Sequence, residues 1–212
     1  MLMRYMMLVM VLLCSMTSQA KTVDMHNPYQ MMKQVSEQTF QRLKSEQNKI
    51  HQDPNYLKEI VKDELMPYVN YQYAALKLLG PYLKGAKKDD VLAFIDAFQG
   101  YLISSYAQVL TQYSDQEVQF GPEPKIDATD RIATVMVNII DTPNPDIKLE
   151  FQLRKSKSGE WQAFDMIAEG ISMLSSKRSE WSGKINSDGI LAVANELKAL
   201  SQQPITTIEK KS

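Results

Sequence analysis

The sequence predicts an α+β protein in which helices pack on one face of a curved antiparallel sheet of about four strands. Hydrophobic residues recur with the helical period over most of residues 28–113 and again after Gly170, whereas residues 116–168 show the two-residue period of strands. The composition, with 44% hydrophobic and 23% charged residues, is that of a folded globular protein and excludes a disordered or fibrous chain.

The helices of the first half are placed by their start signals and by their periodicity. Asn27-Pro28 and Asp53-Pro54 each combine an N-cap residue with a proline at the first helical position. Residues 89–113 carry the clearest helical pattern, with a predicted buried stripe that runs from Val91 to Val109. The predicted helices before the sheet are 28–50, a segment between Pro54 and Pro67, 68–79 and 89–113.

Four strands are predicted in the middle of the chain, at residues 116–121, 131–141, 147–155 and 160–168. In the third strand every second residue from Ile147 to Leu153 is apolar, so one face is predicted to be buried. Turn residues at 141–145 and 157–159 predict an antiparallel meander of the last three strands, with 116–121 added at one end. The remaining predicted elements are helices over 171–182 and 188–202 and a polar tail over 203–212.

The first twenty residues predict an export signal. Arg4 supplies the positive start, residues 6–14 are apolar, and Ser18 and Ala20 are the small residues that signal peptidase requires. The apolar run is nine residues long, whereas a membrane span needs about 20. We therefore predict cleavage after Ala20, a mature single domain over residues 21–212, and no membrane-spanning segment in it.

The single cysteine, Cys14, lies inside this predicted signal. Leu12 and Leu13 precede it, where a lipoprotein signal needs small residues, so a lipid anchor is not expected. Cleavage would leave a mature chain without cysteine, which must be stabilised by its core alone.

The numbers of charged residues and of potential metal-binding residues argue against several classes of function. The chain has 24 Lys and Arg against 25 Asp and Glu, and a nucleic-acid binder would carry a basic excess, so no nucleic-acid partner is expected. One cysteine and two histidines are too few for a Cys/His metal site. His26 and His51 are interpreted as solvated loop residues, and neither a metal nor a cofactor is predicted.

One weak motif suggests catalysis. The segment 170–174 has half of the G-x-S-x-G pattern around Ser172, with Leu174 at the position of the second glycine. Asp165 and a histidine could complete a serine hydrolase, and Asp165 with Glu169 could act as paired carboxylates. The interpretation we favour is that Asp165 braces the turn from strand to helix, and we predict that the protein is not an enzyme.

The number of large apolar side chains is the unusual feature of the sequence. Together they either fill a core or line a cavity between the sheet and the helices, and composition does not separate these two cases. The candidates are Leu76, Leu79, Phe94, Phe98, Tyr101, Leu102, Tyr106, Val135, Val137, Ile139, Leu149, Phe151, Leu153, Phe164, Met166, Ile171 and Leu174.

Several segments together resemble one family. They are Asn27-Pro-Tyr29, Leu79-Gly80, residues 147–155 (IKLEFQLRK) and residues 161–174 (WQAFDMIAEGISML). These segments are similar to the MlaC family, also called the toluene-tolerance family, of periplasmic phospholipid-binding proteins that belong to the Mla system (maintenance of outer-membrane lipid asymmetry). The resemblance extends over nearly all of residues 25–210, and the run from Asp165 to Ser172 is its most specific part.

This resemblance implies an apolar pocket between helices and sheet that holds the acyl chains of a glycerophospholipid, with the head group near solvent. It also implies that the candidate side chains above bind lipid, that phospholipid is a cargo rather than a cofactor, and that the protein is periplasmic. The implied partners are an outer-membrane lipoprotein–porin complex and an inner-membrane ABC transporter complex with a hexameric lipid-binding ring. The chain has no nucleotide-binding motif, so it would be a passive carrier.

Two other functions stay open at this point. The protein could be a periplasmic module that binds protein partners, with the apolar side chains simply filling a core, or it could be the hydrolase described above. Lys84, Lys87 and Lys88 form a small basic cluster, which is interpreted as a solvated loop, with a docking patch as the alternative.

Overall fold

The computed structural model describes residues 23–113 and 116–207, so the predicted export signal and its cleavage site lie outside the described residues. The helices are α1 (Pro28–Ser45), α2 (Gln47–Gln52), α3 (Tyr56–Ile60), α4 (Tyr71–Leu79), α5 (Lys88–Leu110), α6 (Met173–Asp188) and α7 (Ile190–Ser201). The strands are β1 (Glu117–Phe120), β2 (Ile132–Ile140), β3 (Ile147–Lys155), β4 (Trp161–Ala168) and β5 (Ile171–Ser172). In these two ranges no helix combines the length and the hydrophobicity that crossing a bilayer requires.

The strands form one antiparallel sheet in the order β1-β2-β3-β4-β5. This confirms the predicted α+β class and the predicted meander, and β5 brings the strand number to five. The face of the sheet that packs on α1 is called the inner face below. Its central cross-strand rows are Val135–Phe151–Met166 and Val137–Leu149–Ala168.

A β-bulge in β4 directs neighbouring side chains of this strand to two different parts of the core. Leu153 pairs with Ala163 and Gln152 pairs with Asp165, so Phe164 is an extra residue without a cross-strand partner. Ala163 contacts the inner-face side chains, whereas Phe164 packs on α4, with its ring centroid 5.1 Å from that of Tyr73. The bulge therefore lets one strand contribute to two different parts of the core.

The long first helix predicted over residues 28–50 is interrupted at Glu46. This residue leaves helical geometry with φ −110° and ψ 16°, so α1 ends at Ser45 and α2 begins at Gln47. The Glu46 carboxylate accepts hydrogen bonds from Arg42 Nε at 3.0 Å and from the Tyr56 hydroxyl at 3.0 Å. These contacts offset the helical hydrogen bonds that the break removes.

The helix predicted between Pro54 and Pro67 also departs from regular geometry. After α3 the chain forms a π-helical turn, Val61–Leu65, and then a 3₁₀ turn, Met66–Tyr68, because Pro67 cannot continue an α-helix. Arg42 Nη1 donates to Asp63 at 3.0 Å and to Glu64 at 2.8 Å. This ion-pair network ties the π-helical turn to α1.

The helix predicted to begin at residue 171 begins two residues later. Glu169 and Gly170 form a tight turn with φ 49° and 79°, and Ile171 and Ser172 then pair with the end of β4. Ser172 is the N-cap of α6, because its Oγ accepts a hydrogen bond from the Ser175 N–H at 3.0 Å.

Among the described residues the buried side chains form three separate clusters instead of the single core that is usual for a domain of this size. The helical cluster lies among α4, α5, α6 and α7 and includes Phe94 and Trp181. The α3–α5 cluster includes Leu57 and Ala107. The sheet cluster joins α1 to the inner face through Met31 and Val135.

Candidate functional site

The inner face is packed at one end of β3 and open at the other. Leu153 is fully buried in the sheet cluster. The next inward-facing residues, Phe151 and Leu149, are only half-buried, and Ile147 at the start of the strand is 41% exposed. Hydrophobic side chains on the concave side of a sheet are normally covered by the opposite layer. This gradient indicates that the helices do not fill the space above the open end.

Tyr106 of α5 is also half-buried. Its ring packs on the α3–α5 cluster. Desolvation raises the pKa of its phenol to about 12, with further contributions from the negative charge of Asp165 and from Tyr101. The pocket that the sequence predicts between the helices and the sheet would lie between α5 and the half-buried inner-face residues, and we call this predicted space the chamber.

The Asp165 carboxylate lies where β4, β5 and α6 meet. Its Oδ2 accepts a hydrogen bond from Ser172 Oγ at 2.7 Å, and its Oδ1 accepts one from the Leu174 N–H at 3.0 Å. These bonds join strand β4 to the first turn of α6. The interpretation of Asp165 as a brace of the strand-to-helix turn agrees with this geometry.

Cations lie over aromatic rings along the helical cluster. The Arg154 guanidinium is 4.4 Å from the Tyr73 ring centroid, and Lys177 Nζ is 5.6 Å from the ring centroids of Tyr101 and Trp181. Lys177 also forms an ion pair with Glu180 at 2.7 Å. These contacts place positive charge on the α4 and α6 side of the fold.

The structure divides the predicted lining residues among all three clusters. The helical cluster contains Leu79, Phe94, Phe98, Tyr101, Phe164 and Leu174. Leu102 lies between the helical and α3–α5 clusters, and Tyr106 packs on the latter. The sheet cluster holds Val135, Val137, Leu149, Phe151 and Leu153. Ile139 and Met166 are half-buried on the inner face, and Leu76 and Ile171 are 39% and 59% exposed.

Only some of these side chains are partly accessible on the inner face. They are Ile139, Leu149, Phe151 and Met166. Tyr106 is half-buried on α5, whereas Phe94 is fully buried among the helices. A lipid-contacting role for the full set of candidates remains a prediction.

Three further half-buried apolar residues near the α3–α5 cluster were missed by the sequence analysis. Ile103 and Leu110 pack beside Tyr106 on the α3–α5 cluster, and Leu65 touches both that cluster and the sheet cluster. Residues 103, 106 and 110 are themselves at helical spacing. The buried stripe predicted from the sequence ran through residues one position earlier, such as Val109. Val109, placed on the buried stripe, is 62% exposed, so that part of the prediction is wrong. The buried stripe rotates because α5 packs on α4 and α7 in its first half and on α3 in its second.

Two shallow concavities elsewhere on the described surface are small. One, of about 130 Å³, is lined by residues such as Ile50, His51 and Leu110. The other, of about 220 Å³, is lined by Tyr71, Gln162 and their neighbours. Pockets for drug-sized ligands measure roughly 300–1,000 Å³, so neither could hold a molecule with two long alkyl chains.

Among the residues that the structure describes, Ser172 is not brought to a histidine. Ser172 Oγ donates to Asp165 and caps α6, whereas the hydrolase considered above needs a histidine as its general base. His26 lies next to Gly159 and His51 lies on α2; both are exposed. Within residues 23–113 and 116–207, no three His, Cys, Asp or Glu side chains are grouped as metal ligands.

Comparison with known proteins supports the resemblance seen in the sequence. The family model described as MlaC protein matches residues 33–199. The chain is 38% identical over 181 residues to the intermembrane phospholipid transport system binding protein MlaC of Haemophilus influenzae, and the match covers 84% of each protein.

The fold is also similar to a solved structure, that of a phospholipid-binding protein from Ralstonia solanacearum in complex with a phospholipid. The superposition has a TM-score of 0.72 and covers 84% of this chain and 99% of that chain, at 16% sequence identity. At this identity the likeness concerns the fold alone. Taken with the sequence matches over most of its length, it leads to one assignment: the chain belongs to the MlaC family.

Proposed function

We propose that this protein is a periplasmic phospholipid carrier whose mature form is a single domain over residues 21–212. The acyl chains of a glycerophospholipid occupy the chamber between the inner face and α5, and the head group stays near solvent. The relative from Haemophilus influenzae is named as a binding protein of an intermembrane phospholipid transport system, which supports the same role here.

The observation that carries the proposal is the incomplete packing between the clusters. Phe151 and Leu149 face inward without being buried, and Tyr106 on α5 is desolvated without being enclosed. Exposing apolar surface to water costs about 25 cal/mol per Å². An apolar ligand that fills this space removes that cost for both the protein and itself.

The physics of lipid transfer explains why a carrier is needed and why it is passive. A phospholipid exposes on the order of 30 methylenes, each worth about 0.8 kcal/mol when buried, so the free monomer does not diffuse through water at a useful rate. Transfer from a bilayer to an apolar chamber is close to neutral in free energy. The direction must therefore be imposed by partners, and we propose an outer-membrane lipoprotein–porin complex and an inner-membrane ABC transporter complex with a lipid-binding ring. Lipid asymmetry of the outer membrane would depend on this traffic.

The decisive experiment is organic extraction of protein purified without detergent, followed by mass spectrometry of the extract. A carrier comes out with about one glycerophospholipid per chain. If the full-length mature protein contains no lipid and takes none up from vesicles, the carrier function is wrong and a protein-binding module becomes the better interpretation.

A further inference from the structure

Arg154 of β3 is a half-buried cation without a carboxylate partner. Its neighbour Leu153 points to the inner face, so Arg154 points to the opposite, outer face of the sheet, where its guanidinium lies 4.4 Å from the Tyr73 ring centroid. In the ranges that the structure describes Arg154 forms no ion pair, whereas Lys177, which also lies over aromatic rings, is paired with Glu180. A cation that loses part of its hydration is normally paired with an anion. The stacked guanidinium is therefore available to an anion from outside the chain.

Lys77 supplies a second unpaired cation beside the first. It lies one helical turn after Tyr73, so these two side chains are on the same face of α4. Its Nζ is 5.9 Å from the ring centroid of Phe164, which is the aromatic partner of Tyr73. Lys77 is exposed, and among the described residues it forms no ion pair either. The two cations thus lie over the two rings of one aromatic pair.

Exposed apolar side chains accompany these cations. Leu76 precedes Lys77 on α4 and is 39% exposed, and Ile132, the cross-strand partner of Arg154, is 48% exposed. Arginine and aromatic residues next to accessible apolar side chains are typical of surfaces that bind proteins. Basic segments that bind bilayers carry about four to eight Lys or Arg, whereas this surface has two unpaired cations and the chain has a net charge of −1. The composition therefore favours a polypeptide partner over a membrane.

We propose that Tyr73, Leu76, Lys77, Ile132 and Arg154, together called the α4–β3 surface, form a docking site for an acidic segment of a protein partner. The Arg154 guanidinium donates paired hydrogen bonds to a carboxylate of that segment, because its planar fork matches the two carboxylate oxygens and the Tyr73 ring orients it. Lys77 adds a less directional charge, and Leu76 and Ile132 contact apolar side chains beside the partner's acidic residues. The surface lies on α4 and the outer face, so the inference does not rest on lipid binding.

The test measures binding of a fluorescently labelled octapeptide of glutamate and leucine residues to the full mature protein. A peptide with glutamine in place of each glutamate is the uncharged probe, and fluorescence anisotropy gives both affinities. Wild-type protein is expected to bind the acidic peptide more tightly than the glutamine peptide, and to lose this affinity as salt screens the charges. Arg154→Gln should weaken binding about fivefold and Lys77→Gln about twofold, as expected for partly exposed charge pairs.

Two further variants separate this surface from general charge effects. Lys198→Gln is the matched control, because it removes one exposed positive charge from α7, and it should leave the affinity unchanged. Ile132→Glu places a carboxylate across from Arg154 without removing the contact with Tyr73. This carboxylate competes with the peptide, so binding should weaken about threefold. Circular dichroism verifies that each variant folds.

Nuclear magnetic resonance locates the contact on the protein. Addition of the acidic peptide should shift the amide signals of residues 73–77 and 152–155 and the Nε–H signal of Arg154. Shifts confined to another surface, such as the basic loop at residues 84–88, would overturn the inference, as would an Arg154→Gln variant that binds like wild type or a wild-type protein that binds neither peptide. Binding to phosphatidylglycerol vesicles that requires Arg154, without binding to the peptide, would assign the surface to a membrane and also overturn the proposed protein partner.

Discussion

At the scale of single residues, accessibility on the inner face separates side chains that maintain the fold from side chains available to a ligand. Val137 is 7% exposed and packs in the sheet cluster, so a charged residue there would destabilise the protein as well as the chamber. Phe151 lies on the adjacent strand but is half-buried. It is therefore the better position for a change that affects lipid without removing core packing.

Replacement of Phe151 by Glu is expected to reduce co-purified phospholipid at least tenfold while the protein still folds, because a carboxylate in the chamber would have to be desolvated when the chains enter. Ile132→Glu is the matched control, since Ile132 is 48% exposed and pairs with Arg154 on β3. Extraction and mass spectrometry measure the lipid. Full occupancy in the Phe151→Glu variant would show that the chains do not lie against this face.

Because Asp165 braces the turn from β4 to α6, its replacement is expected to lower the stability of the fold. Asp165→Ala leaves the Leu174 N–H and the Ser172 hydroxyl without their acceptor, and this should lower the free energy of unfolding by about 2 kcal/mol. Ser172→Ala removes the α6 cap and should cost about 1 kcal/mol. Urea denaturation measures both changes, with the exposed Glu150→Ala as the control. An Asp165→Ala variant as stable as wild type would contradict the assignment of this carboxylate as a brace.

At the scale of elements, the ion-pair network of Arg42 connects α1 to the π-helical turn. Burial alone would raise the pKa of Glu46, but hydrogen bonds from Arg42, Lys49 and Tyr56 outweigh burial and hold it below its ordinary value. A carboxyl group with a lowered pKa in the folded state stabilises the protein above its unfolded-state pKa of about 4.3, and this contribution disappears as the pH falls through the folded-state pKa.

Arg42→Met is therefore expected to lower stability at pH 7 by about 1 kcal/mol, a modest value because the network is partly solvated. The difference from wild type should shrink as the pH falls below about 4.3. Denaturant midpoints between pH 3 and 7 measure it. Lys184→Met breaks a more exposed ion pair, with Glu196, and serves as the control. A difference that stays constant over this range would mean that packing of the Arg42 side chain, and not its charge, connects the two elements.

At the scale of the whole molecule, the separation of the buried side chains into three clusters leads us to expect that a bound ligand contributes to stability. Ligand binding to the folded state alone stabilises it by RT ln(1 + [L]/Kd), about 2.7 kcal/mol at 100 times Kd. For a chain of this size that corresponds to a rise in melting temperature of roughly 5–10 °C. Differential scanning calorimetry of delipidated protein, with and without added phospholipid, measures it. Glycerophosphoethanolamine, which has the head group but no chains, should leave the melting temperature unchanged; a rise with this compound would place the binding energy outside the chamber.

The sequence was informative wherever local chemistry decides the structure. The alternation from Ile147 to Leu153 predicted both β3 and its inward face, and Asn27-Pro28 predicted the start of α1. The break at Glu46 was not predictable, because it depends on Tyr56, which becomes a neighbour only in the folded chain. Nor could composition separate fully buried from half-buried apolar residues: Phe94 and Phe151 are the same residue type in equally apolar patterns, and only the folded structure encloses the first and leaves the second partly accessible.

The extra residue in β4 gives this strand an unusual vulnerability to deletion. Removing Phe164 would leave Ala163 opposite Leu153 and Asp165 opposite Gln152, so the pairing with β3 would become regular without a change of register. The same deletion would remove the ring that packs on Tyr73 of α4. A shortened variant could thus gain regular sheet hydrogen bonds and still lose the anchor between the sheet and the helical cluster. Irregular pairing at this one position is what allows a single strand to face two groups of helices.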